Sequence, residues 1–292
     1  MSTDQSPTPE IITPLLLRGW PLPEVEDSKY ARGQVLVIGG AARTPGAALL
    51  AGLAVLRVGA GHLTLAVAEA AAVPMAIAVP ESGVYPLPQN AAGSVLGGDL
   101  ESLASNLASS DVVLVGPGLD DADQTKSLLR TLAPMIGEDT RLVLDAYALG
   151  TLPDVEEIHE QIHGRVVLTP NKTEAERLLG RDVDNLEDDV AEIAERYGAA
   201  VSCQSVIADR EGRRWLISAG QEGLATSGSG DVLAGAIAGL LARGATPAQA
   251  AAWGTHLHAA AGDRLASRVG IVGFLARELL EELPLILAEL PR

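Results

Sequence analysis

GLATSGSGDVLAGAIAGLLARG, residues 223–244, places one carboxylate, Asp231, behind Gly228-Ser229-Gly230 at the head of an apolar run. Val232, Leu233, Ile237, Leu240 and Leu241 recur at helical spacing. Ala234, Ala236 and Ala238 are strong helix formers. Gly244 and Pro247 end the pattern. Gly235 and Gly239, four apart, leave a thin face that a second element can approach closely. The first amides of a helix lack intrahelical acceptors, and the helix dipole favours negative charge there. A Gly-Ser-Gly lead-in exposes those amides, so the segment reads as an anion hole suited to phosphate. An Asp at a helix start often only caps it. A cap does not need glycines on both sides of a serine, so the stretch favours chemistry.

The composition sets the frame. The chain has 292 residues, enough for one large α/β domain or two small ones. Hydrophobic residues make up 47% and aromatics only 3%, so Ala, Val and Leu must fill the core. A net charge of −17 argues against nucleic acid and anionic membrane as partners. Lysines occur only at 29, 126 and 172, so a phosphate ligand would rest on backbone amides and a few arginines. The single Cys203 excludes an internal disulfide and any multi-cysteine zinc site. MSTDQSPTPE is polar and has no signal-peptide pattern, and no apolar run reaches membrane-spanning length without breakers. A cytoplasmic chain is expected.

Outward from residue 223, short Val/Leu/Ile runs alternate with helices. QVLVIGG, HLTLAV, DVVLVGPG, RLVLDA and RVVLTP read as strands. PGAALLAGLAVLRVGAG, DQTKSLLRTLAPMIG, TEAERLLG and residues 186–197 read as helices. This pattern predicts a three-layer αβα fold with a mostly parallel central sheet buried on both faces. Residues 199–218 read instead as short antiparallel strands turning at Glu211-Gly212. Helices follow at 231–243, about 247–267 and about 274–288, the last interrupted at Pro284. Residues 1–30 read as a lead-in with little regular structure, and 31–292 as one domain.

Ligands of such sheets sit beyond the carboxyl ends of the strands. GGAARTPGA (39–47), GPG (116–118), DAYAL (145–149) and TPNKTE (169–174) all fall there, and with GSGD they can share one crevice. Asp145 reads equally as a turn carboxylate or as a contact to metal-bound water or a substrate hydroxyl. Glu174 reads as a first-turn helix acid or an indirect magnesium ligand. His256 and His258, two apart on a helix, point to different sides and suit a core or an interface rather than a shared metal. Asp263 and Arg264 read as a solvated face.

Taken in order and spacing, PGAALLAGLAVLRVGAG, GPGL, LDAYAL, LTPNKTEAERLLG and GLATSGSGDVLAGAIAGLLARG resemble the ADP-dependent NAD(P)H-hydrate dehydratases of the ribokinase-like superfamily. The resemblance spans about residues 31–290. It implies a ribokinase-like fold, a tetramer, magnesium, and ADP or ATP as co-substrate. It also implies repair of hydrated NADH or NADPH by phosphorylating the ring hydroxyl and eliminating phosphate. Asp231 is then the general base. Ala47, Gly118 and Asn171 line the hydrated dinucleotide site, and Gly228, Ser229 and Gly230 bind the nucleotide. Val201, Ser202, Cys203, Gln204 and Ser205 align with the family's KG-x-x-T nucleotide segment.

Three positions depart from the family. Asn171-Lys172-Thr173-Glu174 stands for HPGE, Tyr147 for a small or acidic residue, and Val201-Ser202 for Lys-Gly. Arg210, Arg213 or Arg214 is the available replacement for the lysine charge. Two other readings stand beside the dehydratase: a catalytically silent nucleotide-binding homologue, and a ribokinase-like kinase of a small hydroxymethyl compound.

Overall fold

The computed structural model describes residues 8–24, 27–220 and 222–290. Its strands and helices follow in chain order. They are β1 (Glu10–Ile11), α1 (Pro14–Gly19), β2 (Gln34–Ile38), α2 (Pro45–Arg57), β3 (His62–Ala68), α3 (Glu69–Ala78) and β4 (Ser82–Leu87). Next come α4 (Ala104–Ser109), β5 (Val112–Val115), α5 (Ala122–Leu132), β6 (Arg141–Leu144), α6 (Tyr147–Thr151), α7 (His159–Ile162) and β7 (Val166–Leu168). The last are α8 (Lys172–Leu179), α9 (Leu186–Tyr197), β8 (Ala200–Cys203), β9 (Val206–Ala208), β10 (Arg214–Leu216), α10 (Ser229–Ala242), α11 (Pro247–Arg268) and α12 (Ala276–Glu289).

The strands form one sheet in the order β1-β10-β9-β8-β7-β6-β5-β2-β3-β4. It is parallel from β4 to β8, and β9 runs antiparallel to both β8 and β10. The continuous apolar runs of β2, β5 and β6 are buried because both faces are covered. One core packs α2, α10, α11 and α12 on one face, and a second packs α5, α8 and α9 on the other. This is the three-layer arrangement expected, with the antiparallel pairs where the texture of the sequence changes.

The stretch at 223–244 fixes one of those layers. The first turn of α10 needs a glycine: Gly228 caps it with φ +90°, and a Cβ there would come 2.6 Å from Leu50 Cδ1. The thin face is used as expected. Added to Gly235, a Cβ would lie 2.1 Å from the Ala51 carbonyl oxygen, and at Gly239 it would lie 2.7 Å from that of Val55. Helix α2 therefore lies directly on α10, backbone against backbone.

The structure corrects four readings. The segment before residue 30 is not featureless: β1 pairs in parallel with β10, and Trp20 stacks on Trp215 at 5.5 Å. Residues 1–7, 25 and 26 lie outside the described residues. Helix α12 runs through Pro284 without interruption, held by Leu279, Leu283 and Ile286 buried on both sides of the proline. The parallel edge strand β4 was not anticipated, because Gly83 and Pro86 argue against a strand and are tolerated only at an edge. Asp263 and Arg264 are not merely solvated. Asp263 accepts from the Gly220 amide at 3.1 Å, and Arg264 pairs with buried Glu282.

Candidate active site

The carboxyl ends of β2, β5, β6 and β7 are laced together by the residues that follow them. The Gly40 amide donates to Pro117 O at 2.8 Å, and the Ala41 amide to Gly118 O at 2.8 Å. Thr44 Oγ1 donates to the same Gly118 carbonyl at 2.7 Å. A Cβ on Gly118 would meet Ala47 Cβ at 3.1 Å, so Ala47 and Gly118 are neighbours, as expected. Gly116 packs against the Asp145 carbonyl so closely that a Cβ would lie 1.8 Å from its oxygen. Ala146, next in line, holds φ +50° without being glycine, a strained backbone of the kind that gathers at functional sites.

Three carboxylates share this end of the sheet. Asp145 is 6% exposed and accepts from Thr169 Oγ1 at 2.8 Å. Burial raises its pKa to about 6, against the opposing pull of Thr169 and the Ala146 amide. Asp231, half-buried in the first turn of α10, is raised to about 7 by burial and then by the charge of Asp145. Glu174 is also raised to about 7, by burial first; the Asn171 amide opposes that shift and the Asp145 charge adds to it. Asp145 therefore lies within electrostatic reach of both other acids. Three acids whose protons leave near neutral pH can hold or accept a proton under working conditions.

The nucleotide-binding candidates divide. Gly230 is exposed, and a Cβ there would meet nothing within 4 Å, so the turn is open to a ligand. Ser229 is already engaged: its amide donates to Thr226 O at 3.2 Å, and its side chain, 3% exposed, shares a 2.8 Å hydrogen bond with His258 Nε2. Asn171 caps α8 reciprocally. Its Oδ1 accepts from the Glu174 amide at 2.9 Å, and Glu174 Oε2 accepts from the Asn171 amide at 2.9 Å. Only the side-chain Nδ2 of Asn171 is left for a ligand. Asn171→Ala should therefore lower Tm by roughly 2–4 °C, the worth of one cap, as well as raise KM. Thermal melts with steady-state kinetics check both parts, and an unchanged Tm would contradict the capping geometry.

Residues 35–285 match the family model described as NAD(P)H-hydrate dehydratase. The chain belongs to the NAD(P)H-hydrate dehydratase family. It is 40% identical over 98% of its length to the ADP-dependent (S)-NAD(P)H-hydrate dehydratase of Xanthomonas campestris pv. campestris, covering 99% of that protein. It is 37% identical over 94% of its length to the bifunctional NAD(P)H-hydrate repair enzyme Nnr of Moorella thermoacetica, and spans about half (54%) of that longer chain. The ADP/ATP-dependent NAD(P)H-hydrate dehydratase of Bacillus subtilis, co-crystallized with ATP/Mg2+ and soaked with CoA, matches with a TM-score of 0.77. That match has 26% identity and covers 98% of this chain and 100% of the other.

Within this dehydratase family, the segment that departs most is also the one the fold buries. Val201 and Cys203 are 0% exposed and sit in the core under α8 and α9. The next side chain along the strand, Ser202, points to the other face and shares a buried 2.7 Å hydrogen bond with Thr255. The side chains of Val201, Ser202 and Cys203 are therefore turned into the interior; only Gln204 and Ser205 in the turn are exposed. Burial, and then the Glu174 charge, pushes the Cys203 thiol up to about 12, which leaves it inert. The proposed arginine replacements are engaged elsewhere. Arg213 pairs with Asp209 and Glu211, Arg214 with Asp188, and Arg210 lies against Gly164 at the opposite end of the sheet.

His256 and His258 are both buried and face different ways, as read from their spacing. Thr169 and His258 escaped notice as site residues. Nothing in the spacing of a lone threonine or histidine signals a buried partner.

Proposed function

We propose that the chain dehydrates hydrated NADH or NADPH at the expense of ADP or ATP, with Asp231 as general base. The observation that carries this reading is Asp231 directly after exposed Gly230 in the first turn of α10, its pKa raised by burial to about 7. Hydroxide is a poor leaving group and phosphate a good one. Asp231 takes the proton of the ring hydroxyl as its oxygen attacks the terminal phosphorus, and the shortened nucleotide leaves. The ring C–O bond of the phosphate ester then breaks, phosphate departs, a neighbouring ring carbon loses a proton, and the dihydronicotinamide double bond is restored. The first amides of α10 stabilise charge on the transferring phosphoryl group. In this reading Ala47 and Gly118 border the hydrate, and the Asn171 side-chain Nδ2 donates to it.

Among the described residues, no group of three or more His, Cys, Asp or Glu side chains converges to hold a metal ion. Magnesium carried on phosphate would need only one or two carboxylates, the rest of its ligands being phosphate oxygens and water. Glu174 would hold the ion through water, since its Oε2 already accepts from the Asn171 amide at the cap of α8. Magnesium supplies charge neutralisation on the phosphates when bound.

No described helix is long and apolar enough to cross a membrane. Exposed Val73 and Ile77, one helical turn apart on α3, support a homo-oligomer, the tetramer of the family resemblance. The functional test is an absorbance assay for NADH regenerated from its hydrate, with ADP and ATP in parallel arms. Regeneration that requires a nucleotide is expected. Nucleotide binding without regeneration would favour the silent homologue, and phosphorylation of a hydroxymethyl compound would favour the kinase.

A further inference from the structure

Helix α11 carries three side chains that reach different parts of the site. Thr255 holds β8 through Ser202, His258 holds the first residue of α10 through Ser229, and Asp263 holds the loop at Gly220. Thr255 and His258 are three apart and so share a face. Leu224, in the loop that leads to the Gly-Ser-Gly turn, packs where a Cβ on Gly262 would meet its Cγ at 2.7 Å. The helix thus forms a spine behind the crevice, and its contact nearest the chemistry is His258 to Ser229.

We propose that His258 is a positioning residue for phosphoryl transfer: through Ser229 Oγ it holds the Gly228–Asp231 turn with its amides and the Asp231 carboxylate facing the crevice. The inference rests on the dehydratase reading for its catalytic readout. Both partners are buried, Ser229 at 3% and His258 at 8% exposure, so neither can exchange this bond for water. Burial holds the imidazole neutral, its pKa lowered to about 4, so the bond is the same across the working pH range. Without the histidine, the Ser229 hydroxyl is left without a partner in the interior. It regains one either by rotating about χ1 or by a shift of the turn, and a shift of the turn carries the neighbouring amides with it. Helix packing alone would be served by any side chain of similar volume. The hydrogen bond adds a fixed rotation of the first turn of α10 about its axis.

A double-mutant cycle on the intact chain tests this. Ser229→Ala, His258→Leu, the double variant and His258→Gln are compared by kcat for the hydrate, calorimetric Kd for ADP, and Tm. Each of the first two should lower kcat by about 10- to 100-fold, the range seen when reacting groups are misplaced by around an ångström. Each should weaken ADP by about three- to tenfold, the worth of one hydrogen bond. The double variant should be no worse than the poorer single one. His258→Gln, whose amide can reach Ser229, should recover most of the loss. Additive losses overturn the proposal, as does full kcat with unchanged ADP affinity in Ser229→Ala. If His258→Leu does not fold, Ser229→Ala and His258→Gln decide by the same criteria. If the wild-type chain shows no turnover, the dehydratase reading fails, and coupled changes in ADP affinity still test the positioning.

Discussion

Asp231→Asn should cut turnover by about two to four orders of magnitude, the usual share of a general base. The fold and most of the nucleotide affinity should survive, because the side chain keeps its shape and the amides of the turn are untouched. The pKa of about 7 sets the pH dependence: kcat/KM of the wild type should rise with pH up to about 7 and level off above it. The same shift bears on stability, with the opposite sense. The folded pKa lies above the ordinary carboxylate value of 3.8, so folding favours the protonated acid. The stabilisation is complete below about pH 4 and is lost as pH rises to about 7. At about 1.4 kcal/mol per pKa unit, up to about 4 kcal/mol is at stake. Asp231→Asn should therefore melt several degrees above the wild type at pH 8 and level with it at pH 4. Rate measurements and thermal melts across pH check both halves. Turnover within a few-fold of wild type would remove Asp231 from the base role.

Gly235→Ala should be the most damaging small substitution in the same helix. The new Cβ would lie 2.1 Å from the Ala51 carbonyl oxygen, and that neighbour is backbone that cannot swing aside. The two helices must separate, and overpacking of this kind costs about 1–3 kcal/mol or more. The gain in helix propensity from Gly to Ala, about 1 kcal/mol, offsets only part of it. A net cost of about 2 kcal/mol corresponds to a fall in Tm of roughly 4–8 °C. Gly230→Ala is the control within the same helix, because its Cβ would meet nothing within 4 Å. It should leave Tm unchanged or raise it by up to about 2–4 °C, from the unopposed gain in helix propensity, and weaken nucleotide binding, since the methyl projects into the open turn. Equal Tm values for the two variants would contradict the close contact of α2 with α10.

These two glycines also show how far the sequence could be read. Gly235 and Gly239 signal a thin face at helical spacing, and α2 occupies it. The alternation of Val/Leu/Ile runs with helices carries the parallel sheet, since strands buried on both faces leave no other pattern. Strand β1 escaped because two residues have no periodicity, and β4 because it tolerates Gly83 and Pro86 at the edge. In the site, Asp145, Glu174 and Asp231 were legible because each follows a strand end or heads a helix. Their mutual influence was not, since it arises from residues far apart in the chain. The burial of Val201 and Cys203 was not legible for a simpler reason. A motif alignment fixes position along β8, but the alternation of the strand decides which side chains enter the core. His258 was seen as a core histidine, and its bond to Ser229 required the packing of α11 on the start of α10.

The most direct measurement follows three quantities together on purified protein with hydrated NADH, ADP and magnesium: NADH regenerated, phosphate released and AMP formed. The account predicts one of each per turnover with the wild type, and a loss of all three by about two to four orders of magnitude in Asp231→Asn. NADH regenerated without nucleotide consumption, or at an undiminished rate in Asp231→Asn, would contradict it.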